Sequence, residues 1–358
     1  MVRIVAGREA AWPRSSVAEM AENIGARQIV KGLLQGIAPP RPLFLPIVFS
    51  HGARIENVPL RVFLTNPTKI SNSLRQIRGR LHSDGVTCYF DPLLEAEALG
   101  GTIEWDAEGQ VRSLRWAHDG RESAEAEHLL EEPAKRGRVG VAIEVVRRLK
   151  LILRDDCLLM AGIAGPFAMA AMLAQLDRAQ DIGLGEIPTA TLDLAAALIA
   201  PLATSLVAAG ANVIFIREET LPALSEEACA EWAARVAAAV NIVRFYEALP
   251  VLLLTDRRST EMNREAIVRQ SWDCVVCPDV DSEAPEATEG FRNLGAARFG
   301  MALPADSFGS SATGEPHADH SLRGMLREFA PAVVTTAGEV SADANMERLN
   351  KVWENICR

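Results

Sequence analysis

Eight short apolar runs, each closed by a polar or small residue, constrain this chain more than anything else in its sequence. They are Leu43–Ser50, Val86–Asp91, Leu158–Gly165, Asn212–Glu218, Val251–Asp256, Cys274–Asp279, Ala297–Pro304 and Ala332–Glu339. Runs this long without polar alternation are expected of parallel strands buried on both faces. Helical patterns lie between them. Pro67–Leu81 starts behind Asn66, an N-cap followed by proline at the first helical position. Ser225–Leu249 starts with a serine cap and two carboxylates in the first turn, and Ser341–Ile356 closes the chain. Eight strands alternating with helices predict an α/β fold, a single (β/α)8 TIM-type barrel. No Gly-x-Gly-x-x-Gly follows any run, which counts against a doubly wound sheet.

Two segments depart from the alternation. Gly100–Trp116 alternates around an Asp-Ala-Glu-Gly turn and predicts a β-hairpin inserted after strand 2. Residues 1–40 read as an N-terminal helical lead-in, Ser16–Gly36, packed outside a barrel that occupies 41–358. Residues 194–216 carry no charge over a span long enough for a bilayer, but Pro201, Gly210 and Asn212 interrupt them. They predict a buried helix, a turn and a buried strand, so no membrane partner is expected.

Charge narrows the partners. With 37 Lys+Arg against 47 Asp+Glu the net charge is −10, which disfavours nucleic acid. A small-molecule substrate is expected instead. Six cysteines without scaffold spacing, and no apolar core in Met1–Arg14 of the kind a signal peptide needs, predict a cytoplasmic protein.

A barrel of this kind carries its chemistry at the C-terminal strand ends. Those ends deliver Ser50, His51 and Arg54; Asp91 and Glu95; the Gly162–Phe167 turn; and Arg217, Glu218 and Glu219. Further round they deliver Asp256, Arg257 and Arg258; Asp279 and Asp281; Asp306 and a loop ending His317–His320; and Gly338 and Glu339. His51, Asp91 and Glu218 are the expected catalytic groups, since a histidine in a turn and carboxylates ending clean strands can move protons. Arg54, Phe167, Arg217, Asp256 and Glu339 are the expected substrate contacts. Cys274-x-x-Cys277 lies on a strand, where residues three apart face opposite ways, so it reads as core rather than a zinc site. The carboxylates left to hold a metal are Glu218, Asp256 and Glu339.

At these residues the chain resembles the uroporphyrinogen decarboxylase superfamily, whose (β/α)8 barrels include cobalamin-dependent methyltransferases. The resemblance runs from about Arg41 onward. It is carried by Asp84–Trp105 (DGVTCYFDPLLEAEALGGTIEW), Gly162–Ala170 (GIAGPFAMA) and Thr335–Ile356 (TTAGEVSADANMERLNKVWENI). It implies that Asp91 matches the family's strand-end aspartate, which contacts pyrrole N–H groups, and that a homodimer forms.

The departures are as informative. Ser50–Arg54 (SHGAR) stands where decarboxylases carry an RQAGR-like grip on substrate carboxylates, and keeps only Arg54. Met172 and Gly338 stand near the positions of the decarboxylase tyrosine and histidine. Leu254-Thr255-Asp256 and Gly338-Glu339 stand where the zinc thiol methyltransferases place His-x-Cys and Cys, so a thiol-type zinc site is not expected. The resemblance implies a barrel that demethylates a small O- or N-methylated compound and passes the methyl group to a corrinoid. No Asp-x-His-x-x-Gly segment occurs, so cobalamin would sit on a separate corrinoid protein. The alternatives are a decarboxylase of a smaller acid held by Arg54, Arg217 or Arg257, and a non-catalytic binding or scaffold subunit.

Overall fold

The computed structural model describes residues 24–107, 109, 111–116, 135–174, 187–218, 221–270, 272–278, 298–309 and 319–357. Eight parallel strands form one curved sheet in the order β1, β10, β9, β8, β7, β6, β5, β2. They are β1 (Leu43–Leu45), β2 (Gly85–Tyr89), β5 (Leu158–Ala164), β6 (Val213–Glu218), β7 (Leu249–Leu254), β8 (Cys274–Pro278), β9 (Phe299–Leu303) and β10 (Val333–Thr336). Every residue of these eight strands is buried, as expected when side chains fill the barrel on one side and meet helices on the other. The fold class is therefore the α/β TIM-type barrel that the apolar runs predict.

The seam between β1 and β2 closes by side chains rather than by a ladder. Pro46 follows β1 directly and has no N–H to donate, which ends the run five residues earlier than the apolar pattern suggests. Asp84 takes over there. Its carboxylate accepts from the Phe44 N–H at 2.8 Å and from both terminal nitrogens of Arg41 at 2.8 Å, while its own N–H donates to Phe44 O. Thr87 Oγ1 adds a bond to Pro46 O at 3.3 Å.

The helix caps follow the sequence closely. Asn66 Oδ1 accepts from Thr68 and Lys69 N–H ahead of Pro67–Arg80, and Ser225 Oγ accepts from Ala228 N–H ahead of Glu226–Phe245. The inserted hairpin is present, β3 (Gly101–Trp105) pairing antiparallel with β4 (Val111–Trp116). Thr189–Ala209 is long and apolar enough to cross a membrane, but half of its most apolar window is buried, and the helix packs on Pro166–Leu173 and Glu226–Phe245. It leads through Gly210, at φ +122°, into β6.

Two boundaries differ from expectation. The closing helix is Met346–Cys357, because Ser341–Asn345 forms turns that bond back to the barrel. The lead-in helix is Ala26–Leu34, with residues 16–23 of the expected span outside the described residues. Arg27 reaches Asp155 at 3.0 Å and Arg154 O at 2.9 Å, in the turn that feeds β5, so this helix lies at the N-terminal end of the barrel. The opposite end is left to the site.

Candidate functional site

The C-terminal strand ends gather buried charges in pairs. Asp91, just past β2, is 7% exposed; its Oδ1 accepts from Leu93 N–H at 2.9 Å and its Oδ2 meets Arg138 Nη1. Arg138 also donates from Nε to Glu97 Oε2 at 2.7 Å, and from its backbone N–H to the same oxygen at 3.1 Å. Burial opposes the Arg138 charge, but Tyr89, Asp91 and Glu97 outweigh it and raise the guanidinium pKa. Tyr89 donates its hydroxyl proton to Leu64 O at 2.9 Å, and burial pushes its pKa up.

The second pair is Arg217 with Glu95. Glu95 is 1% exposed and accepts from Ala164 N–H at 2.7 Å, with Arg217 Nη2 3.4 Å away. Burial raises the Glu95 pKa against the pull of Arg217. The Arg217 guanidinium lies over the Phe90 ring at 5.1 Å, and Gly162 leaves room for that ring, since a Cβ there would come within 2.7 Å of it.

Glu218 ends β6 fully buried, but its partners lie in the surrounding helices rather than across the barrel axis. Alternate residues of a strand face opposite ways, and Arg217 takes the other face. The Glu218 carboxylate accepts from Phe167 N–H at 3.1 Å, Ala168 N–H at 2.8 Å and Trp232 Nε1 at 2.7 Å. Phe167 and Ala168 open the helix Pro166–Leu173, whose N-cap is Gly165 and which has no side-chain cap of its own. The carboxylate thus satisfies orphan donors and meets the positive end of that helix. The Phe167 side chain is fully buried, so its backbone N–H, not its ring, takes part in the site.

Glu339 follows β10. Its Oε1 accepts from Ser50 N–H, and burial raises its pKa to about 7, with nearby Asp91 adding to the rise and the Ser50 bonds opposing it. His51 opens the helix His51–Ile55; its Nδ1 lies 2.7 Å from Ala342 O. A carbonyl can only accept, so Nδ1 carries the proton and Nε2 is left as an acceptor. Burial lowers the His51 pKa. Arg54 is exposed on the same short helix, and Asp256 is half-buried after β7.

The structure thus brings Asp91 and Glu339 into electrostatic contact, sets Glu218 and Phe167 to building the turn between β5 and its helix, and leaves Arg54 in solvent. Arg138 and Glu97 were not legible as site residues, because neither ends an apolar run. Glu219, Asp279, Asp281 and His317 lie outside the described residues, as do the side chains of Arg257, Arg258 and His320. Glu218, Asp256 and Glu339 make no metal cluster; among the described residues no group of three His, Cys, Asp or Glu is placed to hold an ion. Cys274 and Cys277 are buried in β8, where desolvation raises both thiol pKa values, as suits core residues.

Gly137 supports this arrangement. Its φ is +48°, and a Cβ would come within 2.7 Å of Glu97 Cγ. Gly137→Ala is expected to cost about 1–2 kcal/mol, from left-handed backbone strain and displacement of Glu97. Urea unfolding would measure it.

Fold and strand-end charges together define a barrel of the kind that works at its C-terminal mouth. The chain belongs to the uroporphyrinogen decarboxylase family, whose pattern it matches over residues 30–257. A comparison with curated protein sequences finds no match. Among solved structures, a methyltransferase from Methanosarcina mazei superimposes with a TM-score of 0.74 at 15% identity, covering 93% of this chain and 98% of that one. A B12-independent methionine synthase from Shewanella sp. W3-18-1, in complex with selenomethionine, superimposes at 0.52 and 11% identity, covering 82% and 88%. At these identities the likeness is one of fold.

Proposed function

We propose that this protein transfers a methyl group from a small O- or N-methylated compound to a corrinoid carried by a partner protein. The observation that carries this reading is the Glu339 carboxyl. It is half-buried at the mouth, and desolvation together with the nearby Asp91 charge pushes its pKa up to about 7, poised to hold a proton for a leaving oxygen or nitrogen at neutral pH. His51 is the less suitable acid, because burial favours its neutral form and its one proton is committed to Ala342 O. Asp91, fixed by Arg138 and Leu93 N–H, is suited to orient the substrate.

Two of the three arginines that could grip a substrate carboxylate, Arg54 and Arg217, speak against the decarboxylase alternative. Arg217 faces Glu95 and Arg54 is exposed, so neither is set to grip a substrate carboxylate inside the barrel. A polycarboxylate would also meet Asp91, Glu95 and Glu339.

A reduced corrinoid supplies the methyl acceptor when its carrier docks. This chain has no Asp-x-His-x-x-Gly segment, and its mouth carboxylates are bound to arginine and backbone N–H groups, which fits a subunit that presents substrate rather than one that houses the cofactor. A thiol-type zinc site does not fit: the end of β7 and the loop after β10 offer no thiolate or imidazole. The test is to mix the protein with a cob(I)alamin carrier and a panel of methoxy and methylamino compounds. Conversion of the cob(I)alamin spectrum by one compound class supports the reading; a flat response across the panel counts against it.

A further inference from the structure

We propose that Arg138 is the positioning residue of the mouth, its guanidinium clamping Asp91 to Glu97 and so tying the hairpin excursion to the strand end that faces substrate. The role of that strand end rests on the methyl-transfer reading; the clamp itself does not. Arg138 enters from the chain segment that follows the hairpin and is 3% exposed. Its three bonds run in different directions, Nη1 to Asp91 and both Nε and the backbone N–H to Glu97 Oε2. Its guanidinium lies 5.8 Å from the ring centre of Trp105, on β3. One planar fork therefore joins β2, the short helix Leu94–Ala98 and the hairpin. A lysine ammonium could supply the charge but not this fixed geometry.

The charges facing the clamp are Tyr89 and Asp91 from β2 and its end, Glu97 from the short helix, the Glu95–Arg217 pair beside Asp91, and Glu339 across the mouth. Removing one buried cation from that set leaves acids that cannot all stay charged in a water-poor site. Arg138→Gln should therefore take up a proton that Arg138→Lys does not.

Infrared difference spectra in the carboxylic C=O region, at pH 7.5, read this without any turnover. The expected result is one added protonated carboxyl in R138Q, its loss in the R138Q/D91N double variant, and a wild-type spectrum for R138K. In the methyl-transfer assay R138K should lower kcat about 10–100-fold, with KM changed less than about threefold. An unchanged R138Q spectrum overturns the clamp, and so does an added band that survives D91N. Should R138Q not fold, R138K decides alone: an added band in it, or full kcat beside an active wild type, overturns the proposal. If no methylated compound turns over, the methyl-transfer reading fails while the infrared result still judges the clamp.

Discussion

Glu218→Ala is expected to lower stability by about 4–6 kcal/mol, a large part of the 5–15 kcal/mol typical of a folded domain. The substitution leaves three buried donors without an acceptor, the N–H groups of Phe167 and Ala168 and the indole of Trp232. Each such loss costs about 1–3 kcal/mol, and the helix Pro166–Leu173 also loses a negative charge at its positive end. Glu218→Gln should cost less, about 2–3 kcal/mol, because one oxygen still accepts while the amide N–H₂ faces other donors. Gly165→Ala should resemble Glu218→Ala while keeping the glutamate in the sequence, since its Cβ would press on the Glu218 carboxylate and come within 2.7 Å of Cγ, driving the carboxylate off its donors. Denaturant midpoints of the three variants check the order. A catalytic Glu218 predicts the opposite pattern, variants of normal stability that lack turnover, and Gly165→Ala within 1 kcal/mol of wild type would by itself remove the cap.

That case shows what a sequence makes legible and what it hides. The apolar run Asn212–Glu218 places Glu218 at a strand end, and the structure agrees that it is buried there, though it turns to the helix layer and not to the barrel axis. Two of its partners come from a turn about fifty residues earlier and the third, Trp232, from the helix that follows, and nothing in the run points to them. A trace was present in Gly165-Pro166: glycine offers no side-chain cap, so the donors behind it need an acceptor from elsewhere in the fold. Asn66 and Ser225 were readable because their caps are local, two or three residues long. The run Leu43–Ser50 was read through Pro46, whose missing N–H ends the ladder at Leu45, because the apolar residues after it disguised the end of β1. Arg138 carried no local signal, since it stands at the start of a helix and gains its meaning from acids 41 and 47 residues earlier. Glu339 was visible as a strand-end carboxylate. What marks it out, partial burial within reach of the Asp91 charge, belongs to tertiary structure alone.

Glu339→Gln is expected to cut kcat for methyl transfer by about 10²–10⁴, the usual contribution of a positioned proton donor. The amide can still accept from Ser50 N–H but has no acidic proton to give. In the wild type, with the carboxyl pKa near 7, the rate should decline as pH rises through that value, and in the variant the low remaining rate should lose this step. Stability gives an independent reading of the same group. The folded pKa lies above the ordinary 4.5, so below about pH 4.5 the proton is bound in both states and the protonated group's contribution is fully present. As pH rises from there to about 7, the unfolded chain gives up the proton while the folded one retains it, and stability falls. The expected loss is about 2 kcal/mol, less than the full shift implies because the carboxyl borders solvent at the mouth. Above pH 7 this contribution is constant. Glu339→Gln should flatten the slope between those limits, and unfolding at pH 5 and pH 8 would show it. An equal pH slope in wild type and variant would remove Glu339 as the group with the raised pKa, and with it the observation on which the acid role stands.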